Sequence, residues 1–268
     1  MTDHQKRTGE SFSTLTDICP ECKGEGTIFY RDEEDRPYEK PCPVCEGGKA
    51  KQIETAKKLS NIPLKYSERE YSSFDWNIYR DETGKLIDTT KIKDVTEDFL
   101  RAFREWQEEG MGLYIYSKTK GSGKTLLASC ICNELMDRYK IRTKFVNASQ
   151  LINLDKSKNS ESDDEYKRDP IKYLCNCELL VLDDIGQTQN GYQDSLSYDI
   201  VNSRYEKQLI TVYTSNLSFG DLSTDERTVQ RIASTSFPLK LPEYNVRVRE
   251  SNDKMLSFLK ERGLLRRE

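Results

Sequence analysis

The segment from Gly112 to Tyr139 constrains the fold of this chain more than any other. An apolar run, GLYIY, comes first, the turn GSGKT at 121–125 follows, and a helical apolar pattern then runs to Tyr139. A strand, a glycine-rich turn and a helix in this order place backbone N–H groups around an anion, at the positive end of the helix. The segment therefore predicts a phosphate-binding loop within an α/β fold.

Each residue of this turn has a role in phosphate binding. The two glycines let N–H groups turn inward, the Lys124 ammonium reaches the β- and γ-phosphates, and the Thr125 hydroxyl coordinates Mg²⁺. The loop departs from the usual motif at Lys118, where a glycine normally begins the turn, so we expect a weakened or reshaped loop. The alternative is a chance GxGKT in an ordinary turn. The predicted nucleotide contacts are Gly121, Ser122, Gly123, Lys124, Thr125 and Leu126.

A second apolar strand predicts the other half of the site. The run LLVLDD at 179–184 ends in two carboxylates. Asp183 would hold Mg²⁺ through water, and Asp184 would orient and deprotonate the attacking water. Because most related ATPases have glutamate at the second position, the shorter Asp184 favours slow, switch-like hydrolysis. The alternative is a buried strand with a solvated acidic end.

The next predicted strand ends in Thr214, Ser215 and Asn216. A polar residue at the end of a strand beside the acidic one can hold the attacking water near the γ-phosphate, and Asn216 is the candidate for this role. The alternative is ordinary turn chemistry, since asparagine and serine are frequent in turns.

Strand and helix patterns alternate after residue 112. Strands are predicted at 112–116, 142–147, 179–183 and 210–214, and helices at 125–139, 148–154 and 196–207. This alternation favours a parallel sheet with helices on both faces. Before it, residues 95–108 have helical spacing and 71–79 are strand or loop, and the polar stretch 155–169 is a surface excursion.

Two CxxC pairs, Cys19 with Cys22 and Cys42 with Cys45, predict a metal site, with a short strand at 27–30 between them. Two such turns supply four thiolates to a tetrahedral zinc ion. A segment of about 40 residues needs metal ligation to fold. The alternatives are redox-active pairs or unrelated thiols. The later cysteines, which we interpret as small buried hydrophobes, are Cys130, Cys132, Cys175 and Cys177.

The chain contains a set of short motifs, one of which is the phosphate loop. They are NIPLKY at 61–66, FD at 74–75, GSGKT at 121–125, LLVLDDIG at 179–186, NSRYEK at 202–207 and TVYTSNLS at 211–218. Together they resemble the AAA+ ATPases of the DnaC/DnaI group of replicative helicase loaders, with the IstB transposition ATPases as close relatives. The resemblance implies an AAA+ P-loop NTPase fold with a reduced or absent lid. Cysteine-rich modules are frequent in loaders, and the divergent motifs favour a phage or mobile-element origin.

The resemblance also implies roles for several arginines. Arg231 stands where family members have an arginine that reaches the ATP of a neighbouring subunit, and Arg227 is a weaker candidate. The alternative for Arg231 is a surface position on an amphipathic helix. Arg247 lies near the family's late arginine that senses ATP within its own subunit. Arg204 matches the family's RY pair, with a role in packing against the subunit interface.

The function implied is ATP-dependent loading of the replicative hexameric DNA helicase onto single-stranded DNA. Subunits would self-associate on the helicase through ATP and Mg²⁺ at their interfaces, the zinc module would dock on the helicase, and slow, partner-stimulated hydrolysis would release the loader. Two alternatives stay open, an IstB-like transposition accessory ATPase and a zinc-containing adaptor that does not hydrolyse ATP. The resemblance also implies a contact with single-stranded DNA in the segment 148–173, where the candidate phosphate contacts are Lys156, Lys158, Lys167 and Arg168. The alternative is a solvated surface, because the acidic run SESDDE at 160–165 argues against strong binding.

We divide the chain into a flexible tail (1–17), a four-cysteine zinc-binding domain (18–50), a linker helix and lead-in segment (51–90) and an AAA+ ATPase domain (91–268).

No apolar run approaches the roughly 20 residues of a membrane span, and the polar start of the chain is not a secretory signal, so we expect a cytoplasmic protein. The net charge of −4 excludes a uniformly basic coat for nucleic acid. The single histidine, His4, disfavours histidine catalysis.

Overall fold

The computed structural model describes residues 21–22, 27–31, 36–44, 57–186 and 191–262. The predicted tail at 1–17 and residues 51–56 of the predicted linker helix lie outside the described residues. Two of the predicted zinc ligands, Cys19 and Cys45, also lie outside them.

An antiparallel hairpin comes first in the chain. It pairs β1 (Thr27–Arg31) with β2 (Pro37–Pro41), and Tyr30 stands opposite Tyr38. The rings of these two tyrosines stack with their centroids 5.8 Å apart. The hairpin therefore lies between the two CxxC pairs, where the sequence predicts a short strand.

The main sheet is parallel and has five strands. They are β3 (Gly112–Tyr116), β4 (Thr143–Asn147), β5 (Leu179–Ile185), β6 (Thr211–Ser215) and β7 (Ser236–Lys240). The order across the sheet is β4-β5-β6-β3-β7, so β6 alone separates β3 from β5. The loop that follows β3 and the acidic end of β5 consequently meet at one edge, where all the strands end. The four predicted strands are confirmed, whereas β7 is absent from the predicted elements.

Helices cover the sheet, and their ends differ from the predicted ones. They are α1 (Thr90–Arg101), α2 (Phe103–Glu108), α3 (Lys124–Tyr139), α4 (Leu151–Lys156), α5 (Glu165–Arg168), α6 (Pro170–Leu174), α7 (Gly191–Glu206), α8 (Glu226–Ser234) and α9 (Val246–Glu261). The predicted helical run at 95–108 forms two helices because the backbone leaves the helical region at Ala102. Residues 71–79 form two 3-10 turns, and α9 is absent from the predicted elements.

Both faces of the sheet carry an apolar core. Along β5, Leu179 and Val181 belong to one cluster of buried side chains, whereas Leu180 and Leu182 belong to the other. Successive side chains of a strand point to opposite faces, so a strand that is apolar throughout is covered on both sides. The predicted parallel sheet with helices on both faces is therefore confirmed. Within the described ranges, none of the helices is both long enough and apolar enough to span a membrane.

The later cysteines behave as core side chains. Cys130, Cys132 and Cys177 are buried, and Cys175 is half-buried. Burial raises the pKa of the Cys130 thiol to about 12, against an opposing effect of the nearby Arg69. A thiol with a raised pKa holds little thiolate and is a poor nucleophile or metal ligand.

Among the described residues, Arg204 is the largest fully buried side chain, with 1% of its surface exposed. Its guanidinium donates hydrogen bonds to the carbonyls of Leu174 and Cys177, both at 2.8 Å, and to the carbonyl of Ile210 at 2.6 Å. A fourth bond, of 2.8 Å, reaches Thr211 Oγ1. Arg204 thus joins α7 to the end of α6 and to the start of β6 inside the subunit, and the expected packing against a subunit interface is wrong.

Replacing Arg204 by alanine should strongly destabilise the fold, because it leaves several buried acceptors without a donor. Each buried, unsatisfied polar group costs roughly 1–3 kcal/mol, so we expect the free energy of unfolding to fall by about 3 kcal/mol or more. Urea denaturation followed by circular dichroism measures this change. Arg138→Ala, which removes an exposed pair with Glu134, serves as the control and should stay within about 0.5 kcal/mol. A similar small change in Arg204→Ala would contradict the assigned role.

Candidate functional site

A cavity of about 450 Å³ opens at the edge where the strands end. Its wall includes the whole predicted phosphate loop from Gly121 to Leu126, together with Asp183, Asp184, Asn216 and Arg247. The fold therefore brings together residues that are as far apart in the sequence as Pro63 and Arg247. Polar groups at the carboxyl ends of parallel strands are the usual place for a ligand in such folds.

The backbone of the loop needs glycine at two points. Gly121 and Gly123 have positive φ angles of 81° and 97°, which side chains rarely adopt. A Cβ on Gly121 would also come within 2.6 Å of Asn245 Oδ1. The Tyr79 hydroxyl donates a hydrogen bond of 2.9 Å to the Ser122 carbonyl and so holds the turn in place. The N-terminus of α3, which carries the positive end of the helix dipole, begins at Lys124 and forms part of the cavity wall.

The ammonium of Lys124 lies within the loop that precedes it. Its Nζ donates hydrogen bonds to the Ser117 carbonyl at 3.1 Å, the Thr119 carbonyl at 3.0 Å and Ser122 Oγ at 3.2 Å. Burial lowers the pKa of Lys124, and the charges of Asp184, Glu243 and Asp183 oppose that shift. A desolvated ammonium fixed in a phosphate loop is a strong partner for a phosphate oxygen.

Asp183 joins three elements of the fold. Its Oδ1 accepts hydrogen bonds from Thr125 Oγ1 of α3 at 2.9 Å and from Thr214 Oγ1 of β6 at 2.7 Å. Its Oδ2 accepts a bond of 3.3 Å from Asn147 Nδ2 at the end of β4. The hydroxyl and carboxylate oxygens of Thr125 and Asp183 are the hard donors that Mg²⁺ prefers, so this pair fits the predicted metal.

Asp184 occupies a strained backbone position with φ of 59°. Its N–H donates to Thr214 Oγ1 at 2.9 Å, and its Oδ1 accepts a hydrogen bond of 3.0 Å from Asn216 Nδ2. Burial and the adjacent Asp183 charge raise the pKa of Asp184, and Lys124 and Lys120 oppose the shift. Raised basicity in a carboxylate that faces the cavity is a property of general bases.

Of the two arginines expected at the site, only Arg247 lines the cavity, and its N–H donates to the Gly121 carbonyl at 3.2 Å. Arg231 lies elsewhere, on α8. Its guanidinium stands over the rings of Tyr198 and Tyr205 on α7, at 5.3 and 5.6 Å from their centroids. The subunit therefore does not place Arg231 in its own cavity.

Sequence reasoning missed several residues of the site. Thr214 and Asn147 both contact Asp183, and each is a polar residue near the end of a predicted strand, which was a usable signal. Pro63, Lys65 and Tyr66 from the lead-in segment also line the cavity. Only the family resemblance pointed to these three, because they precede the predicted sheet by about 50 positions.

Of the predicted zinc ligands, Cys22 and Cys42 are described. Both are buried and they pack in one cluster, against Ile28 of β1. Among the residues that the structure describes, no group of three or more His, Cys, Asp or Glu side chains is arranged to hold a metal ion. The hairpin nonetheless brings one cysteine of each CxxC pair to the same place.

The strand order, the glycine loop between β3 and α3 and the acidic end of β5 define an AAA+-type P-loop NTPase fold. Residues 51–237, more than half of the chain, match the model of a family described as IstB-like ATP binding protein. The chain belongs to this family of ATP-binding proteins.

Individual relatives agree with this assignment. The replicative helicase loader DnaC of Escherichia coli K12 is 28% identical over 154 residues, which cover 56% of this chain and 58% of the relative. A crystal structure of the DnaC helicase loader has a TM-score of 0.55 at 22% identity, covering 67% of this chain and 99% of that one. A crystal structure of DnaI has a TM-score of 0.53 at 24% identity and covers 72% of this chain and 99% of that one. The resemblance to DnaC-type proteins is confirmed.

Replacing Asp183 by asparagine should remove the benefit of Mg²⁺ for nucleotide binding, because the anionic ligand of the Thr125–Asp183 pair is lost. We expect the dissociation constant of ADP in EDTA, divided by that in Mg²⁺, to fall by about tenfold. A change of this size corresponds to the free energy of one charge-assisted contact. Titration with a fluorescent ADP analogue measures both constants. Asp163→Asn, an exposed change of the same chemistry, should leave the ratio unaltered. An unchanged ratio in Asp183→Asn would rule out this metal site.

Proposed function

We propose that the protein is an ATP-dependent loader of the replicative DNA helicase, which it places on single-stranded DNA. The observation that carries the proposal is the sequence match to DnaC over 154 residues, in a chain whose cavity is lined by the phosphate loop and the two aspartates. The match spans little more than half of that relative. The helicase partner and the loading activity are therefore the parts of the proposal that need direct tests.

In this proposal the cavity binds ATP with its phosphates on the loop. The N–H groups from Gly121 to Leu126 and the Lys124 ammonium would hold the phosphate oxygens. Thr125 and Asp183 would hold Mg²⁺, which supplies charge neutralisation at the phosphates when it is bound. The lead-in residues Pro63 and Tyr66 line the same cavity and would contact the nucleoside.

Hydrolysis would depend on Asp184 and Asn216. The raised pKa of Asp184 suits a base that takes a proton from water. The Asn216 amide, which donates to the Asp184 carboxylate, would keep that carboxylate aimed into the cavity. An aspartate at this position reaches less far than a glutamate does. We therefore propose slow hydrolysis that increases on the helicase and that acts as a release switch.

The two arginines would act from different subunits. Arg247 lines the cavity of its own subunit and would contact the bound nucleotide there. Arg231 lies on α8, away from that cavity, where Tyr198 and Tyr205 hold its guanidinium. This location supports a role at the ATP of a neighbouring subunit, in an assembly of several copies on the helicase.

The DNA contact would use fewer residues of the segment 148–173 than the sequence suggests. Lys158 pairs with Asp155 at 3.2 Å and with Asp169 at 3.5 Å, and Arg168 donates to the carbonyls of Ser162 and Asp163. The exposed side chains of Lys156 and Lys167 remain as the better phosphate contacts.

The loading proposal predicts that helicase capture depends on the nucleotide site. The immobilised chain should retain the hexameric replicative helicase from lysate of its host in the presence of ATP, and Lys124→Ala should reduce retention and ATP hydrolysis by about tenfold or more. Lys91→Ala, an exposed change on α1, is the matched control. Mass spectrometry identifies the retained protein, and single-turnover assays measure hydrolysis.

Three outcomes would contradict the loader. Retention of a transposase with duplex DNA in place of the helicase would support the IstB-like alternative. Equal hydrolysis in the wild type and in Lys124→Ala would support the zinc-containing adaptor that does not hydrolyse ATP. Failure to retain any helicase with ATP would remove the proposed partner.

We further propose that the cysteine-rich segment binds zinc. The buried pair of Cys22 and Cys42 supports this, because each comes from a different CxxC turn and the other cysteine of each turn is only three positions away. A zinc module ahead of the ATPase domain would give the loader a separate surface for the helicase.

The zinc proposal predicts about one zinc ion per chain in purified full-length protein. Cys42→Ser should lower the zinc content several-fold, since the buried thiolate ligand is lost, and inductively coupled plasma mass spectrometry measures it. Cys175→Ser, which changes a half-buried cysteine outside the segment, is the control and should keep the metal. A zinc content that is negligible in the wild type, or equal in both variants, would refute the site.

A further inference from the structure

The segment from Pro242 to Arg247, which links β7 to α9 and includes the first two residues of that helix, lies directly against the phosphate loop. Ser117 Oγ is 3.4 Å from the Pro242 carbonyl at one end of the loop. At the other end, the Arg247 N–H donates to the Gly121 carbonyl at 3.2 Å. This joining segment therefore contacts the first part of the loop, between Ser117 and Gly121.

Glu243 makes the main contacts of the joining segment. Its Oε1 accepts a hydrogen bond of 3.1 Å from the Lys118 N–H. Its Oε2 accepts bonds from the Thr119 N–H at 2.7 Å, from Thr119 Oγ1 at 2.9 Å and from Ser117 Oγ at 3.1 Å. One carboxylate thus holds three consecutive residues at the beginning of the loop.

Two of these three residues, Ser117 and Thr119, also contact the Lys124 ammonium, through their carbonyl groups. The Ser117 carbonyl and the Lys118 N–H belong to one peptide group, and in a trans peptide they point in opposite directions. Lys124 Nζ donates to that carbonyl at 3.1 Å, whereas Glu243 accepts from that N–H at 3.1 Å. A carboxylate and an ammonium on opposite ends of one peptide polarise it in the same sense, so each strengthens the other's hydrogen bond.

Lys118 explains why the loop needs this contact. In the usual motif a glycine begins the turn, but Lys118 is not among the described residues that have positive φ. Its backbone is held by Glu243 rather than by a special conformation. The first half of the loop is therefore shaped by a side chain from 125 positions away in the sequence.

We propose that Glu243 is a positioning residue of the nucleotide site, which takes over the role of the missing loop glycine and sets Lys124 for phosphate binding. This proposal rests on the proposed binding of ATP. Glu243 is not among the residues that line the cavity, so it would act on the site through the peptide between Ser117 and Lys118. Hydrogen bonds from Thr119, Lys118 and Ser117 outweigh partial burial and lower the pKa of Glu243, so the carboxylate is ionised at neutral pH.

The test uses Glu243→Gln, which keeps the shape of the side chain but replaces one acceptor oxygen by an N–H donor. We expect the dissociation constant of a fluorescent ADP analogue with Mg²⁺ to rise about tenfold in the full-length protein, while the binding stoichiometry and the melting temperature without nucleotide stay close to wild type. Thr119→Val removes only the hydroxyl contact and should have a smaller effect. Glu109→Gln, at the far end of the sheet, is the matched control of equal charge change.

The outcomes separate this proposal from the one on which it rests. If the wild type binds ADP, Lys124→Ala does not, and Glu243→Gln binds as the wild type does, then Glu243 has no positioning role and the nucleotide site stands. A lower stoichiometry at an unchanged dissociation constant would make Glu243 a purely structural residue and overturn the proposal. If the wild type fails to bind ADP, both proposals are overturned.

Discussion

The hydrogen bonds to Asp183 are the interaction on which the rest of the site depends. This carboxylate at the end of β5 accepts from Thr125 on α3 and Thr214 on β6, so the helix that follows the phosphate loop is tied to the two strands beside it. Thr214 in turn accepts from the Asp184 N–H and keeps that residue in its strained conformation. The phosphate loop, Asp184 and the oxygens proposed to hold Mg²⁺ therefore lie together at one edge of the sheet, and this is the pre-organisation that the proposed ATP hydrolysis would require.

Much of this arrangement could be predicted, because its signals are local. The apolar runs of β3 and β5, the glycine turn and the two aspartates each occupy a few consecutive residues, and parallel topology brings strand ends together. β7 could not be predicted in this way. It is an edge strand of five residues, SFPLK, in which Ser236 and Leu239 are buried while Phe237 and Pro238 are exposed. That pattern follows neither strand alternation nor a continuous apolar run.

The contacts that residues distant in the sequence make with the phosphate loop could not be predicted from local patterns either. Nothing near Glu243 in the sequence indicates that its carboxylate holds Lys118 and Thr119. The family resemblance drew attention to Arg204, but its burial among backbone carbonyls is a property of packing that a motif does not specify. The roles proposed for Arg231 and for the cysteine-rich segment depend on contacts with other molecules, which no pattern within the chain specifies.

The joining segment at 242–247 has a consequence for how α9 communicates with the rest of the molecule. Six consecutive residues leave the edge strand, support the phosphate loop and begin this helix, whose exposed apolar side chains include Met255 and Phe258. Because the first turn of α9 is hydrogen-bonded to Gly121, the position of this helix and the conformation of the phosphate loop are linked. Shortening or tethering α9 would therefore act, through the bond from the Arg247 N–H to the Gly121 carbonyl, on the wall of the cavity as well as on the surface of the molecule.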